Sequence, residues 1–384
     1  MSGRLLRLVC TGAVAVGALL PSAPVMAAPE PGSDARQSVA SLLTDLQRLY
    51  RDAERATETY NGTAEKLKKQ RAEVAGLDAR LARARLSLED SRIAAGRLAR
   101  QQYQGGDEIS PYVRLLLARD PQHALDQGHL IGQLSLERAQ TVRRVAGGEK
   151  RTDGLARAAR KALDGQLSLA ARQKKERDEV RERLDDVERL LASLTAEQLA
   201  EMGRVEKSGT DAAQKKIMAS GSLSSVRPPT REGEEALRYA VEQIGKPYEW
   251  GAEGPKAYDC SGLTSQSWEQ AGRPIPRTSQ EQWAELPRVP LDELRPGDLV
   301  IYFPEATHVA MYLGDGMVVQ APRPGAKIKV SPIAANPLLG AVRPDPDGEP
   351  LRRYTPPELP EHATDGADGS DEGFASAGPA TVTG

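Results

Sequence analysis

Cys260 stands in the string Tyr258-Asp259-Cys260-Ser261-Gly262 and is one of two cysteines in 384 residues. The other, Cys10, lies in an N-terminal segment that reads as a cleaved export signal, so the exported chain holds a single thiol. A lone thiol in an oxidising compartment has no partner within its own chain. It bridges two chains, packs as a small buried side chain, or acts as a nucleophile. The last use needs a base, and the compact C-terminal unit, residues 232–344, holds one histidine, His308.

Asp259 is a good N-cap, and Leu263 and Trp268 have helical spacing ahead of a stop at Gly272. Cys260 is therefore expected in the first turn of a buried helix, where free N–H groups favour a thiolate. His308 opens the alternating run His308-Val309-Ala310-Met311-Tyr312-Leu313. Gly314-Asp315-Gly316 follows, and then a second strand, Met317 to Ala321. A three-residue loop with a bulge pairs Leu313 with Met317 and Ala310 with Gln320. Gln320 then lies on the face of His308, diagonally across the strands. A two-residue Asp-Gly turn would put them on opposite faces. With the longer loop, His308 takes the proton of Cys260 and Gln320 orients the imidazole. Being neutral, Gln320 stabilises an imidazolium less than a carboxylate would. Taken singly, each residue also reads as structural: a packed cysteine, a half-buried strand histidine, an edge-strand glutamine. Asp298, in Arg295-Pro296-Gly297-Asp298-Leu299, reads as a turn cap.

Four strings occur in order: Asp259-Cys260-Ser261-Gly262, Pro276-Arg277-Thr278-Ser279, Pro296-Gly297-Asp298-Leu299-Val300, and His308 through Gly314. Together they resemble the NlpC-type (NlpC and p-sixty) cell-wall cysteine peptidases, which have a minimal papain-like fold. The resemblance covers roughly residues 232–344. It implies Cys260 as nucleophile, His308 as base and Gln320 as third polar residue. It also implies Tyr248 and Ser261 as oxyanion- or substrate-binding side chains, with the Cys260 N–H as a further donor. Two positions depart from the family pattern. Ala252 follows Trp250-Gly251 where a second glycine is usual, and Gln320 stands where histidine is commoner.

The rest of the chain must carry this unit. Leu46, Ala53, Tyr60, Leu67, Val74, Leu81, Leu88 and Ala95 recur every seven residues, with Leu49, Ala56, Leu77, Ala84 and Leu98 three later. Gly105-Gly106 and Pro111 end this first arm, and Pro121 can start a second. There Val180, Leu184, Val187, Leu191 and Leu194 restore the spacing, and Gly147-Gly148 reads as a bend or frayed point. Two arms with a short connection fold most simply as an antiparallel hairpin, with parallel dimerisation as the rival arrangement, and the first arm is on the order of 100 Å long. The expected fold is α+β: a signal peptide at 1–27, a coiled-coil helical hairpin at 35–207, a Ser-, Gly- and Pro-rich linker at 208–231, the papain-like domain at 232–344, and a disordered acidic tail at 345–384. All three tryptophans fall in the papain-like segment, and aromatic content is only 4%, so a large core is expected only there.

Arg4 and Arg7 before a short apolar run, then Val25 and Ala27 at the exit, have the form of an export signal. The reading is a secreted protein of the cell wall. A net charge of -2 gives no basic field for nucleic acid. His123 and His129 do not share a helical face, and no cluster matches a metal or cofactor motif, so none is expected. The family resemblance implies hydrolysis of peptidoglycan stem peptides between D-glutamate and a diamino acid. An amidase or acyltransferase on the same fold is the alternative of like chemistry. A non-catalytic scaffold that binds wall peptides is the alternative of another class. The arms have two regulatory roles open to them: closing the site, or docking on a membrane-protein regulator.

Overall fold

A computed structural model describes residues 33–104, 113, 120–221, 223 and 227–364. The expected signal and the hairpin connection through Gly105, Gly106 and Pro111 lie outside the described residues. Helices α1 (Ser33–Gln104) and α2 (Pro121–Ala192) run antiparallel. Val39, Leu43, Leu46 and Tyr50 pack with Val187 and Leu191. Ala53 and Ala56 pack with Val180 and Leu184. At the far end Arg92 meets Glu149 at 2.9 Å. Burial along the seam is uneven: Leu46, Leu67, Leu81 and Leu88 are buried, whereas Val74, Leu77, Ala95 and Leu98 are only partly so.

Asp120 caps α2 by accepting from the His123 N–H, with Pro121 in the first turn. The fraying expected at Gly147-Gly148 does not occur. The helix is unbroken there, and the missing side chain serves packing, since a Cβ at Gly148 would come 3.1 Å from Leu88 Cδ1.

The expected linker is a second departure. Helix α3 (Ala196–Ala219) runs well into segment 208–231. It starts in a capping box between Thr195 and Gln198, and packing holds the remainder helical. The Gln214 amide donates to the Gly316 carbonyl at 2.9 Å and accepts from the Ala334 N–H at 3.2 Å, while Ile217 packs against the C-terminal domain. Local composition reads as flexible, but tertiary contacts decide the outcome.

The C-terminal domain begins with α4 (Arg231–Glu242), α5 (Cys260–Gln270) and α6 (Ser279–Glu285). Six strands follow: β1 (Arg288–Val289), β2 (Leu299–Tyr302), β3 (His308–Gly314), β4 (Met317–Gln320), β5 (Lys329–Pro332) and β6 (Leu338–Val342). They form one antiparallel sheet in the order β1-β6-β2-β3-β4-β5. Alternate residues go to opposite faces. Leu299, Ile301, Val309 and Met311 join α4 and α5 through Leu237 and Trp268. Val300, Ala310, Tyr312 and Val318 form a second core that α3 covers with Ile217. This is the α+β arrangement expected, a helical hairpin followed by a small papain-like domain.

The tail differs from its sequence reading over residues 345–364. Asp345 is buried, pairs with Arg295 at 2.9 Å and receives the Thr230 hydroxyl, and the Val330 N–H donates to the Ala363 carbonyl at 2.7 Å. The acidic composition hides an ion pair and backbone bonds that tie this stretch to the domain. Residues 365–384 lie outside the described set.

Candidate functional site

The site is assembled where α5 begins and β3 begins. Asp259 caps α5, its carboxylate accepting the Gly262 N–H at 2.6 Å. Its other oxygen accepts the Gly251 N–H at 2.9 Å, which holds the Trp250-Gly251-Ala252 loop against the helix start. Gly251 has φ +73°, and a Cβ on Gly262 would lie 2.2 Å from the Ala252 carbonyl, so both glycines are required by this close approach. Arg277 grips Asp259 with two guanidinium nitrogens, at 2.8 and 3.1 Å, and donates to Ser261 Oγ at 2.8 Å. Replacing Arg277 with Ala would strand a buried carboxylate. We expect a loss of roughly 3–5 kcal/mol of stability, read as a lower denaturant midpoint.

Cys260 is buried, and its thiol lies against the Val309 N–H, one residue along β3 from His308. The imidazole of His308 is fully buried, with Nε2 2.8 Å from Gln320 Oε1 and the Tyr302 ring centroid 5.6 Å away. Met311 pairs with Val319, which keeps Gln320 in the expected register. The turn differs from the one expected. Asp315 and Gly316, at φ +50° and +70°, make a two-residue turn, and the register is recovered by a bulge between Tyr312 and Gly314. Tyr248 is buried beside this group. Burial, together with the nearby charges of Cys260, Asp259, Glu54 and Glu58, pushes its hydroxyl well above its ordinary value, so it remains a hydrogen-bond donor.

The residues that sequence reasoning missed come from α1. Glu58 is buried in the site. Its Oε1 accepts from Ser261 Oγ at 2.7 Å and sits 3.9 Å from the Cys260 sulfur, and its Oε2 accepts from the Ser279 N–H at 2.7 Å. Glu54 brings Oε1 to 3.4 Å from His308 Nδ1, an ion-pair distance without hydrogen-bond alignment. Asn61 donates to Asp259 at 3.0 Å, and Tyr60 meets Trp250 edge-on at 5.2 Å between centroids. Arg277 and Ser279 lie in a string already singled out by the sequence, but without a role there. Glu54, Glu58 and Asn61 carry no local signal, because acids spaced along an outer helix face read as solvated.

These carboxylates reverse the electrostatics expected of a helix N-terminus. Burial, then Glu58, Asp259 and Glu54, push the Cys260 thiol well above its ordinary range, against a smaller opposing pull from the Val309 N–H. Burial pulls the His308 value down, but Glu54, Gln320 and Glu58 outweigh it and the net shift is upward. Glu58 itself is raised to about 7 by burial and by Asp259, partly offset by Arg277 and its hydrogen bonds. With α1 in place the site therefore holds a neutral thiol.

Residues 245–339 match the family model of NlpC/P60, and the C-terminal unit is an NlpC/P60 domain. Among its relatives is a probable endopeptidase of Corynebacterium glutamicum (strain R), 39% identical over 127 residues, which are 33% of this chain and 60% of that one. The peptidoglycan endopeptidase RipA of Mycolicibacterium smegmatis is 33% identical over 163 residues, 37% of this chain and 32% of its own length. The match thus spans less than two thirds of either curated relative. Among solved structures, the P60 domain of an antigen from M. avium subspecies paratuberculosis is 33% identical, over 29% of this chain and 94% of that one, with a TM-score of 0.26.

Proposed function

We propose that this chain is a secreted peptidoglycan hydrolase, a cysteine endopeptidase acting on wall stem peptides. One observation carries the reading: the Cys260 thiol, at the capped start of α5, lies against β3 where Gln320 holds His308 Nε2 at 2.8 Å. Gln320 Oε1 can only accept, so Nε2 carries the proton and Nδ1 of the neutral ring keeps its lone pair. In the proposed reaction Nδ1 takes the thiol proton and the sulfur attacks the amide carbonyl, forming a C–S bond. The Cys260 N–H and the Tyr248 hydroxyl receive the developing oxyanion. The imidazolium gives its proton to the leaving amine as the C–N bond breaks. Water, deprotonated by the same nitrogen, then releases the acyl group as a carboxylate. The family resemblance assigns the bond between D-glutamate and diaminopimelate or its lysine equivalent, and the names of the two curated relatives support an endopeptidase of peptidoglycan. The same reading places the protein at the cell wall and gives the hairpin a membrane-protein regulator.

Mass spectrometry of stem peptides after prolonged incubation with the full chain, so that even slow turnover accumulates product, tests the proposal. Two fragments that differ from the parent by one added water across the D-glutamyl bond are expected. A water added at another amide would make it an amidase, a fragment joined to a new amine would make it an acyltransferase, and either overturns the assigned bond. Replacing Gln320 with Ala frees the imidazole to rotate. We expect kcat to fall roughly a hundredfold, the low end for general acid–base assistance, with KM little changed.

A further inference from the structure

We infer that α1 is an inhibitor carried by the peptidase itself: residues Glu54 to Asn61 cover the Cys260–His308 pair, and the site works only when this stretch lifts away. The inference rests on the peptidase reading but is carried by its own contacts. Glu58 takes the free donors around the thiol, Ser261 Oγ at 2.7 Å and the Ser279 N–H at 2.7 Å, which would otherwise face the cleft. Glu54 confronts the base nitrogen of His308 at 3.4 Å. Asn61 and Tyr60 extend the cover over the Asp259 cap and Trp250. Beneath α1, between Tyr50, Arg51 and Glu54 on one side and Phe303 and Gln320 on the other, a cavity of about 160 Å³ remains. This cavity does not reach Cys260 or His308, whose side chains are both buried while α1 is in place.

The cover is built to separate. Ser261, Ser279, Asp259 and Trp250 belong to the domain, while the α1 side chains that meet them are largely polar. Helix α1 keeps its apolar seam with α2 whether or not it lies on the site, since Ala53 and Ala56 face Val180 and Leu184. Lifting the hairpin therefore exposes mainly polar groups to water, together with the one aromatic contact of Tyr60 on Trp250.

The test uses the full chain and two variants, with helix content checked by circular dichroism. Glu58→Arg sets a cation against Arg277 in the closed site, yet leaves a good helix former on a face that is solvent-exposed once open. Tyr60→Ala removes the contact with Trp250 and leaves every charge in place, which separates access from thiol acidity. Alkylation of Cys260 by iodoacetamide reads access directly. We expect Glu58→Arg to speed it at least about tenfold and Tyr60→Ala several-fold, as loss of buried contacts allows, with stem-peptide cleavage rising in parallel. Unchanged alkylation in both variants, with helix content retained, overturns the inference even if the wild type cleaves stem peptides. Faster alkylation without cleavage in any form upholds the cover and overturns the peptidase reading instead.

Discussion

Replacing Cys260 with Ala is expected to lower stem-peptide cleavage at least about ten-thousandfold while leaving the fold and the position of α1 unchanged. The thiol contributes one long contact to the cover, at 3.9 Å from Glu58, whereas Ser261 and Ser279 hold that carboxylate at 2.7 Å. The melting temperature should therefore move by only a few degrees, of the order that about 1 kcal/mol produces. His308→Ala should be as inactive, but different in structure. It leaves Glu54 buried with no imidazole opposite and Gln320 with no ring to hold, so α1 should bind less firmly. Comparing the two variants by activity and by hydrogen exchange of the Ser279 amide separates chemistry from closure. Cleavage by Cys260→Ala at the wild-type rate would remove the nucleophile assignment.

Raising the pH from about 4.5 to about 7 is expected to weaken the hold of α1 on the order of a hundredfold. Glu58 has its ordinary value of 4.5 when exposed and about 7 when docked, so the docked form binds its proton more tightly. Its contribution to docking is fully present below the lower value and is lost as pH passes the higher one. The groups facing Glu58 are Asp259 and Cys260 at the start of α5, Arg277 before α6, His308 on β3, Tyr248 in its loop, and Glu54 on α1 itself. Docking raises His308 and Cys260 as well, which gives the same sign. The Ser279 N–H donates to Glu58 from the first position of α6, so its exchange protection reports closure. That protection, corrected for intrinsic exchange, should fall across the window in the wild type. It should fall far less in Glu58→Gln, whose side chain cannot ionise and which keeps only the smaller contribution of His308. A wild-type protection that rises with pH would reverse the assignment.

The groups proposed to do the chemistry are legible because each is announced within a few residues. Asp259 before Cys260 is a capping signal, and the strand pattern from His308 fixes which residues share its face. Even there the route differed: a short turn and a bulge reach the register that a longer loop was expected to give. What the sequence did not announce depends on contacts between segments far apart in the chain. The side chains of Glu54, Glu58 and Asn61 are ordinary for an outer helix face, and nothing local says that this face meets Ser261 and Ser279. Gln214 and Asp345 teach the same lesson. One lies in a stretch read as linker and the other in a stretch read as disordered, and each is fixed by a partner on the C-terminal domain.

Because α1 and the domain belong to one polypeptide, closure is a first-order event. Dilution does not relieve it, whereas a separate helix of the same sequence would have to approach millimolar concentration to match a tethered one. A soluble stem peptide therefore competes against a fixed local concentration rather than against the amount of enzyme. On the proposed reading, dilution after secretion leaves each molecule as firmly closed as it was when first made, and its activity is set by what reaches the hairpin, not by how many copies are present.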